Sequence, residues 1–426
     1  MERRDVIKNL SALPLAGAMY PIESALDSQP QRGTSTTQSQ GIDILLKGGH
    51  VIDPKNQIDG RMDVAIAGDK IVQVARDIPA RDARRVIDVA GYYVTPGLID
   101  MHVHAFSSET PSSSLLIDGF TFRAGVTTAV DAGSAGWRNF REKKAEYIDT
   151  ARTRILAFLN ITGGKAGRFE AQNVDDMNPD MCAYMITRLF PNILVGVKSA
   201  HYWGDFTSVD QAVKAGNLAN VPVMVDFGEH IPPNSIEELF MRRLRPGDIY
   251  THTYADHPNN RECVITGTSA DQNRRVKPFI FEAQKRGIIF ETGHGAGAFQ
   301  FSCAIPSIQQ GFITDVISTD LYSLSMNQGC KDMANLLSKY MAMGLSLQDV
   351  ITRATLNPAN VIKRPELGNL SVGSEADIAV FTLRTGNFGF LDVRAQRIDG
   401  TQKLEAELTI RAGRIVWDLN GIASQR

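Results

Sequence analysis

The chain has 426 residues, of which 43% are hydrophobic, enough for one large domain and a smaller module. Its 45 lysines and arginines nearly balance 47 aspartates and glutamates, so charge gives no reason to expect nucleic acid or an anionic membrane as partner. No apolar run approaches the roughly 18 residues of a spanning helix, and we expect no membrane contact for the mature chain. The cysteines are widely spaced, which favours buried thiols over a disulfide framework: Cys182, Cys263, Cys303 and Cys330.

The first forty residues differ in composition from the rest of the chain. Arg3 and Arg4 precede a weakly apolar stretch over residues 10–18, and a Ser/Thr/Gln-rich segment continues to residue 40. This pattern resembles a twin-arginine export signal followed by a flexible linker, which would deliver a folded protein to the periplasm or the exterior. The alternative is a cytosolic extension of a cytoplasmic protein. We exclude residues 1–40 from the predicted fold.

Both ends of the remaining chain contain short strand-like runs separated by turn residues. The runs lie at 42–46, 48–53, 62–66 and 70–74 in the first part, and at 373–381 and 408–416 in the last part. Two β-rich ends around a long middle indicate one small domain assembled from both termini. We predict a small β-sandwich built from residues 41–94 and 368–426.

The middle of the chain, residues 95–367, alternates short apolar runs with amphipathic helical stretches, the pattern of βα units around a parallel sheet. Its length is close to the roughly 250 residues usual for a (β/α)₈ TIM barrel, which is the fold that we predict. The strands of such a barrel converge at their carboxyl ends on one mouth. Eight runs can be counted, at 97–100, 127–130, 155–159, 194–197, 223–225, 248–251, 288–290 and 316–318.

Polar residues that can bind a metal follow these runs, and the first pair is the most informative. Residues 95–104 read T-P-G-L-I-D-M-H-V-H, so His102 and His104 follow the first run directly. Positions i and i+2 of a strand point to the same side, and the two imidazoles can therefore reach one ion. Lys198, His252 and Asp320 follow later runs in the same way.

The P-G-L-I-D-x-H-x-H segment and the acceptors after later strands resemble the amidohydrolase superfamily of binuclear metal hydrolases. The similarity extends over nearly the whole chain after residue 41. It implies that Lys198, at the end of a buried strand, is carbamylated by CO₂ and bridges two divalent ions. It also implies that His252 binds one of the ions. Asp320 would bind the other and carry the proton from the bridging hydroxide to the leaving group.

The chain departs from the family pattern after the fifth strand, where a histidine is usual. Asp226 occupies the matching position, and a carboxylate is a competent ligand for zinc or for a harder ion such as manganese. His230 lies four residues on and is the alternative ligand. We predict that Asp226 is the ligand, and that both ions are zinc, with manganese as the alternative.

Three further residues are candidates for substrate contact. His294 lies in the sequence T-G-H-G-A-G after the seventh strand, which resembles a segment of the deacetylase-like branch of the superfamily. His201 and Tyr202 come just after Lys198 and are predicted to line the pocket. All three fit a packing role equally well.

Taken together, these features predict a metal-dependent hydrolase of an amide bond in a small molecule, most similar to the deacetylase-like, dihydroorotase-related branch. An ester or a cyclic amide is the alternative substrate. A barrel that has lost its metal and acts as a binding protein is the alternative from a different class. Dihydroorotase-like sequences commonly place an arginine after H-x-H, whereas Ala105 and Phe106 follow here. The sequence leaves open whether the chain forms homo-oligomers.

The amino terminus generates a first testable prediction. Replacing Arg3 and Arg4 by lysines keeps the charge but removes the twin-arginine pair, so the protein should accumulate in the cytoplasm of its host. Cell fractionation followed by immunoblotting measures the distribution. Unchanged recovery of the double-lysine variant outside the cytoplasm would contradict the export prediction.

Overall fold

The computed structural model describes residues 41–106, 115–164, 170–226, 235–257 and 262–424. The export segment and His230 therefore lie outside the described residues. Among the described residues, none of the helices is both long and apolar enough to span a membrane. All four cysteines are buried and free, as the sequence predicts.

Within the described residues, fifteen strands form two sheets. In chain order they are β1 (Ile42–Asp53), β2 (Ile58–Ala67), β3 (Lys70–Ala75), β4 (Ala83–Asp88), β5 (Tyr93–Pro96), β6 (Leu98–Val103), β7 (Val126–Gly136), β8 (Arg154–Asn160), β9 (Leu194–Ala200), β10 (Val223–Asp226), β11 (Ile249–Tyr250), β12 (Ile289–Phe290), β13 (Ile378–Leu391), β14 (Arg397–Arg411) and β15 (Arg414–Asp418).

The helices lie between the strands of the barrel and after its last strand. They are α1 (Asp118–Thr121), α2 (Phe140–Lys143), α3 (Pro179–Tyr184), α4 (Thr207–Ala219), α5 (Ile236–Glu238), α6 (Pro278–Arg286), α7 (Phe301–Gln309), α8 (Ser323–Asn327), α9 (Met333–Ala342), α10 (Leu347–Ala354) and α11 (Leu356–Val361). Short 3₁₀ turns cover Ala80–Asp82, Phe122–Ala124, Glu170–Gln172 and Val174–Asp176, and single π-turns cover Lys144–Ile148, Met185–Leu189 and Leu239–Arg243.

Strands β6 to β12 pair in sequence order as one parallel sheet, the arrangement expected of a TIM barrel. The predicted eighth run forms no regular strand. It closes the sheet through isolated parallel bridges of Val316 with Glu291 and of Leu321 with Val103. Its backbone turns into the left-handed region at Asp320, with φ of 50°, which interrupts the extended conformation that a regular strand needs.

The apolar core follows the strands of this barrel. One cluster contains residues from every strand from β6 to β11 together with Val316, and a second, larger cluster joins strands to the surrounding helices. Long apolar runs suit this setting because strands of a parallel sheet are covered on both faces. The core therefore fixes the strand ends, and through them the polar side chains that follow.

The two ends of the chain form a separate mixed sheet of eight strands. Its order is β15-β14-β13-β5-β1-β2-β3, with β4 paired to β1. The two predicted runs at 42–46 and 48–53 are one strand, β1, whose pairing register shifts between Leu46 and Gly49. In the structure the chain passes from this sheet to the barrel at Gly97, between β5 and β6.

An ion-pair network joins the terminal sheet to the barrel. Arg154 on β8 lies 2.6 Å from both Asp377 and Glu375, which precede β13. Arg411 on β14 contacts the same two carboxylates. Because the arginines are mostly buried, these contacts are better shielded from water than surface pairs. These ion pairs hold the terminal sheet against strand β8 of the barrel.

A substitution at Gly125 tests the contact between the terminal sheet and the barrel. It precedes β7 with φ of 78°, a conformation that L side chains rarely adopt, and an added Cβ would clash with the ring of Phe381 on β13. Gly125→Ala should lower the free energy of unfolding by about 1–3 kcal/mol, measured as a lower urea midpoint. Gly119→Ala is the matched control, because a Cβ there meets nothing within 4 Å, and its midpoint should not fall. Equal midpoints for both variants would contradict this account of the contact.

Candidate metal centre

The mouth of the barrel brings His102, His104 and Asp320 together, although more than two hundred positions separate them. Asp320 Oδ1 lies 3.1 Å from His104 Nε2 and 3.4 Å from His102 Nε2. Each of the three residues offers one potential ligand atom, and these three atoms all lie within 4.8 Å of one another. Strand β6 delivers the two histidines, and the bridge of Leu321 to Val103 holds Asp320 beside them.

The protonation states of this trio suit a cation. Burial lowers the pKa of His102 well below its ordinary value, and the charge of Lys198 acts in the same direction, so the imidazole is neutral. Burial alone would raise the pKa of Asp320, but the neighbouring His102 and His104 bring it down to about 2. A neutral imidazole and an ionised carboxylate are the forms that bind divalent metals.

Asp320 also supplies a direct test of fit. Within the described part of the chain, its Oδ1 is a buried oxygen that makes no hydrogen bond. Burying an ionised oxygen without a partner is costly, and a bound cation would remove that cost. The residues present therefore fit the metal that the sequence predicts.

Lys198 lies at the end of β9, beside this trio, and is buried. Its Nζ is 3.4 Å from His102 Nε2 and 3.3 Å from Met224 Sδ. Burial lowers the pKa of Lys198, while the charges of Asp226 and Asp320 act in the opposite direction. Among the described residues no carboxylate pairs directly with this amine, so it lacks the counter-ion that buried lysines normally have.

Gly133, with φ of 84°, makes room for the stem of Lys198. A Cβ at Gly133 would lie 2.6 Å from Lys198 Cβ, closer than side chains pack. The glycine lets β7 run close to β9 at this level. The aliphatic part of the Lys198 side chain is therefore packed inside the barrel and is not exposed at its rim.

Asp226 and His252 form a second pair across the mouth. Asp226 ends β10, and its Oδ2 lies 3.4 Å from His252 Nε2 and 4.0 Å from His201 Nδ1. His252 Nδ1 donates a hydrogen bond of 2.7 Å to the Gly293 carbonyl, so in the neutral ring Nε2 is the nitrogen with the free lone pair. The rings of His252 and His102 are 5.3 Å apart, so the two pairs are neighbours.

Three of the residues at this mouth have left-handed backbones, namely His201, His252 and Asp320, with φ of 60°, 59° and 50°. Non-glycine residues pay a conformational cost there, and such strain concentrates at functional sites. The strain turns each side chain away from the direction that a regular strand would give it.

The three predicted substrate contacts lie in different surroundings. His201 is half-buried beside Asp226, and Tyr202 is half-buried and packs against the core. His294 is fully buried, with Nδ1 2.9 Å from the Gly295 carbonyl and Nε2 2.8 Å from Lys339 Nζ. Both of its ring nitrogens are thus engaged inside the protein. Substrate contact by these residues stays a prediction.

The sequence analysis missed a set of residues that support the metal-facing histidines. Glu291 and Thr251 lie 3.3 and 3.1 Å from His102 Nδ1, and Ser134 lies 2.8 Å from His104 Nδ1. A signal for Glu291 was present, because it follows the seventh apolar run directly, as Asp320 follows the eighth.

The chain is similar to known proteins in both sequence and structure. Residues 302–416 match the model of the amidohydrolase family. A deacetylase of Agrobacterium fabrum is 33% identical over 333 residues, which cover 75% of this chain and 78% of that protein. The crystal structure of an adenine deaminase gives a TM-score of 0.78 at 25% identity, covering 88% of this chain and 100% of the other. That of a dihydroorotase gives 0.75 at 28% identity, covering 88% and 99%.

The fold, the His-His-Asp group at the barrel mouth and a relative of this extent agree with one another. This chain belongs to the amidohydrolase superfamily, and it is a metal-dependent hydrolase of carbon–nitrogen bonds.

Proposed function

We propose that this hydrolase removes an acyl group from the nitrogen of a small molecule, as a deacetylase does. The observation that carries the proposal is the buried Oδ1 of Asp320, which faces Nε2 of the neutral His102 at 3.4 Å and Nε2 of the half-buried His104 at 3.1 Å. The similarity to a named deacetylase over three quarters of both chains supports the choice of an N-acyl substrate.

The proposed centre holds two divalent ions, zinc or alternatively manganese. His102, His104 and Asp320 would hold one ion, and Asp226 and His252 the other, with carbamylated Lys198 between them. Lys198 has the properties that carbamylation needs, since a lysine with a lowered pKa is a free amine that can react with CO₂. When bound, such ions polarise the scissile carbonyl and make water a better nucleophile.

Asp320 is the proposed proton carrier. Its lowered pKa, about 2, leaves the carboxylate ionised near neutral pH, so it can accept the proton of the attacking water. The same carboxylate would then return the proton to the leaving nitrogen, which must be protonated to depart as an amine. Asp320 is buried, which limits its contact with bulk solvent.

A cyclic amide is the second candidate substrate, favoured by the likeness to a dihydroorotase structure. Ring opening would use the same residues, because it also cleaves a carbon–nitrogen bond at a carbonyl. A metal-depleted binding protein is the alternative from another class.

Two further parts of the proposal concern the rest of the chain. Residues of β1 and β2 share one apolar cluster with residues of β13 and β14, which supports a terminal sheet that curls into a β-sandwich. We also propose that Arg3 and Arg4 direct export by the twin-arginine route.

The direct test of the proposed function measures metal content and acyl release together. Protein purified with excess zinc should contain two equivalents per chain and release acetate from members of an N-acetylated panel. Opening of cyclic amides without acetate release would favour the second candidate. Protein without metal and without either activity would contradict the hydrolase and favour a binding protein.

Lys198→Ala should lose most of the bound metal and most of the activity, because the bridging carboxylate cannot form. Short carboxylic acids such as acetate or propionate should restore part of both, since they supply a carboxylate in the space left by the side chain. Metal analysis and initial rates measure the effect. Neutral amides of the same size should give no rescue, and Lys285→Ala, an exposed lysine of α6, should behave as wild type. A Lys198→Ala protein with two metals and full rate would contradict the bridge.

Variants of Asp226 and His230 test which of the two residues is the metal ligand at the position where the chain departs from the family pattern. Asp226→Ala should lose one of two metal equivalents and most activity, whereas His230→Ala should change little. Asp226→His should keep two metals and move the acid limb of the pH–rate profile downward, because removing a negative charge lowers the pKa of groups that lose a proton at the site. Metal stoichiometry of the two alanine variants is the deciding measurement. Loss of a metal from His230→Ala alone would show that the wrong residue of the pair was chosen.

A further inference from the structure

We propose that Glu291 is a positioning residue that accepts the Nδ1–H of His102 and so keeps Nε2 of His102 free to bind metal. The inference rests on the proposed function in one respect, namely that His102 is a metal ligand. It assigns a role to a buried carboxylate that takes no part in the proposed chemistry.

The two nitrogens of the His102 ring face different groups. Nε2 points into the site, 3.4 Å from Asp320 Oδ1 and 3.4 Å from Lys198 Nζ. Nδ1 points away from it, 3.3 Å from Glu291 Oε2. A neutral imidazole carries one proton, so a proton held at Nδ1 is the condition for a lone pair at Nε2.

The other oxygen of Glu291 is already committed. The Ser318 hydroxyl and the Gly293 amide both donate to Oε1, the latter over 2.7 Å. These two donors fix the carboxylate's rotation, which leaves Oε2 facing the histidine. Glu291 itself has no exposed surface and follows β12 directly, where a parallel bridge to Val316 holds its backbone. The carboxylate cannot turn outward to solvent.

Thr251 also reaches the same ring nitrogen, at 3.1 Å. A hydroxyl can either donate or accept, so Thr251 is compatible with both tautomers of His102. The two donors already at Oε1 of Glu291 leave Oε2 facing the ring as a hydrogen-bond acceptor. Glu291 is therefore the group that decides between the tautomers, and carboxylates behind metal-binding histidines commonly do this in proteins.

Glu291→Gln tests the inference with little change in shape. The donors at Oε1 should retain the amide oxygen of glutamine there, which turns the amide NH₂ toward His102 Nδ1. Two facing donors cannot pair, so His102 should move its proton to Nε2, the nitrogen that the metal requires. We expect zinc affinity of the metal-free protein to fall about 10- to 100-fold, measured by competition with a chelating dye.

Asp315→Asn is the matched control. Asp315 is also a mostly buried carboxylate that caps β12, accepting from the Phe290 amide at 2.9 Å and from Gln284, but it lies beside none of the proposed ligands. Its variant should bind zinc as wild type does. The melting temperature of metal-free Glu291→Gln should stay near that of wild type, which separates metal positioning from a general packing role.

Wild-type zinc affinity in folded Glu291→Gln would overturn the inference. If that variant fails to fold, Ser318→Ala decides, because it removes one of the two donors at Oε1 while keeping the carboxylate. A several-fold weaker affinity supports the inference and unchanged affinity overturns it. His102→Ala separates the two levels of the argument. Loss of metal in His102→Ala with full affinity in Glu291→Gln overturns only the positioning role, whereas full affinity in His102→Ala overturns the metal centre itself.

Discussion

Desolvation of charge is the constraint on which the rest of this structure depends. Asp320, Lys198 and Glu291 are buried at one end of the barrel, where an unpaired charge costs several kcal/mol. The oxygen Asp320 Oδ1 and the amine of Lys198 do not satisfy each other directly. The proposed cation and carbamate would complete this arrangement, and the apolar core of the barrel holds the residues in place.

The apolar core of the barrel brings residues that are far apart in the sequence close together in space. The parallel strands end at a common mouth, and the backbone bends into strained conformations at His201, His252 and Asp320 to aim their side chains. Behind the mouth, a second set of hydrogen bonds holds the side chains of the proposed metal ligands in place. Glu291 and Ser134 contact the inward histidines, and buried Lys339 ties His294 in the loop that adjoins Asp320.

Much of this could be predicted from the sequence because strand ends leave a local signal. Seven of the eight apolar runs coincide with strands, and two of the polar residues that follow the runs, His102 and Asp320, lie together at the barrel mouth. The eighth run pairs only through bridges, since its polar residues and the turn at Asp320 interrupt it. Glu291 follows the seventh run in the same way, but nothing in the sequence marks its role or that of Lys339. Their partners lie far away in the chain, and only the packing of the folded barrel brings them together.

The central claim is that the barrel mouth is a two-metal centre. Anomalous X-ray scattering from crystals of the zinc-loaded protein, with data on both sides of the zinc absorption edge, tests it most directly. The account predicts two peaks at the mouth, one beside His102, His104 and Asp320 and the other beside Asp226 and His252. A mouth without an anomalous peak, in protein prepared with excess zinc, would contradict the account.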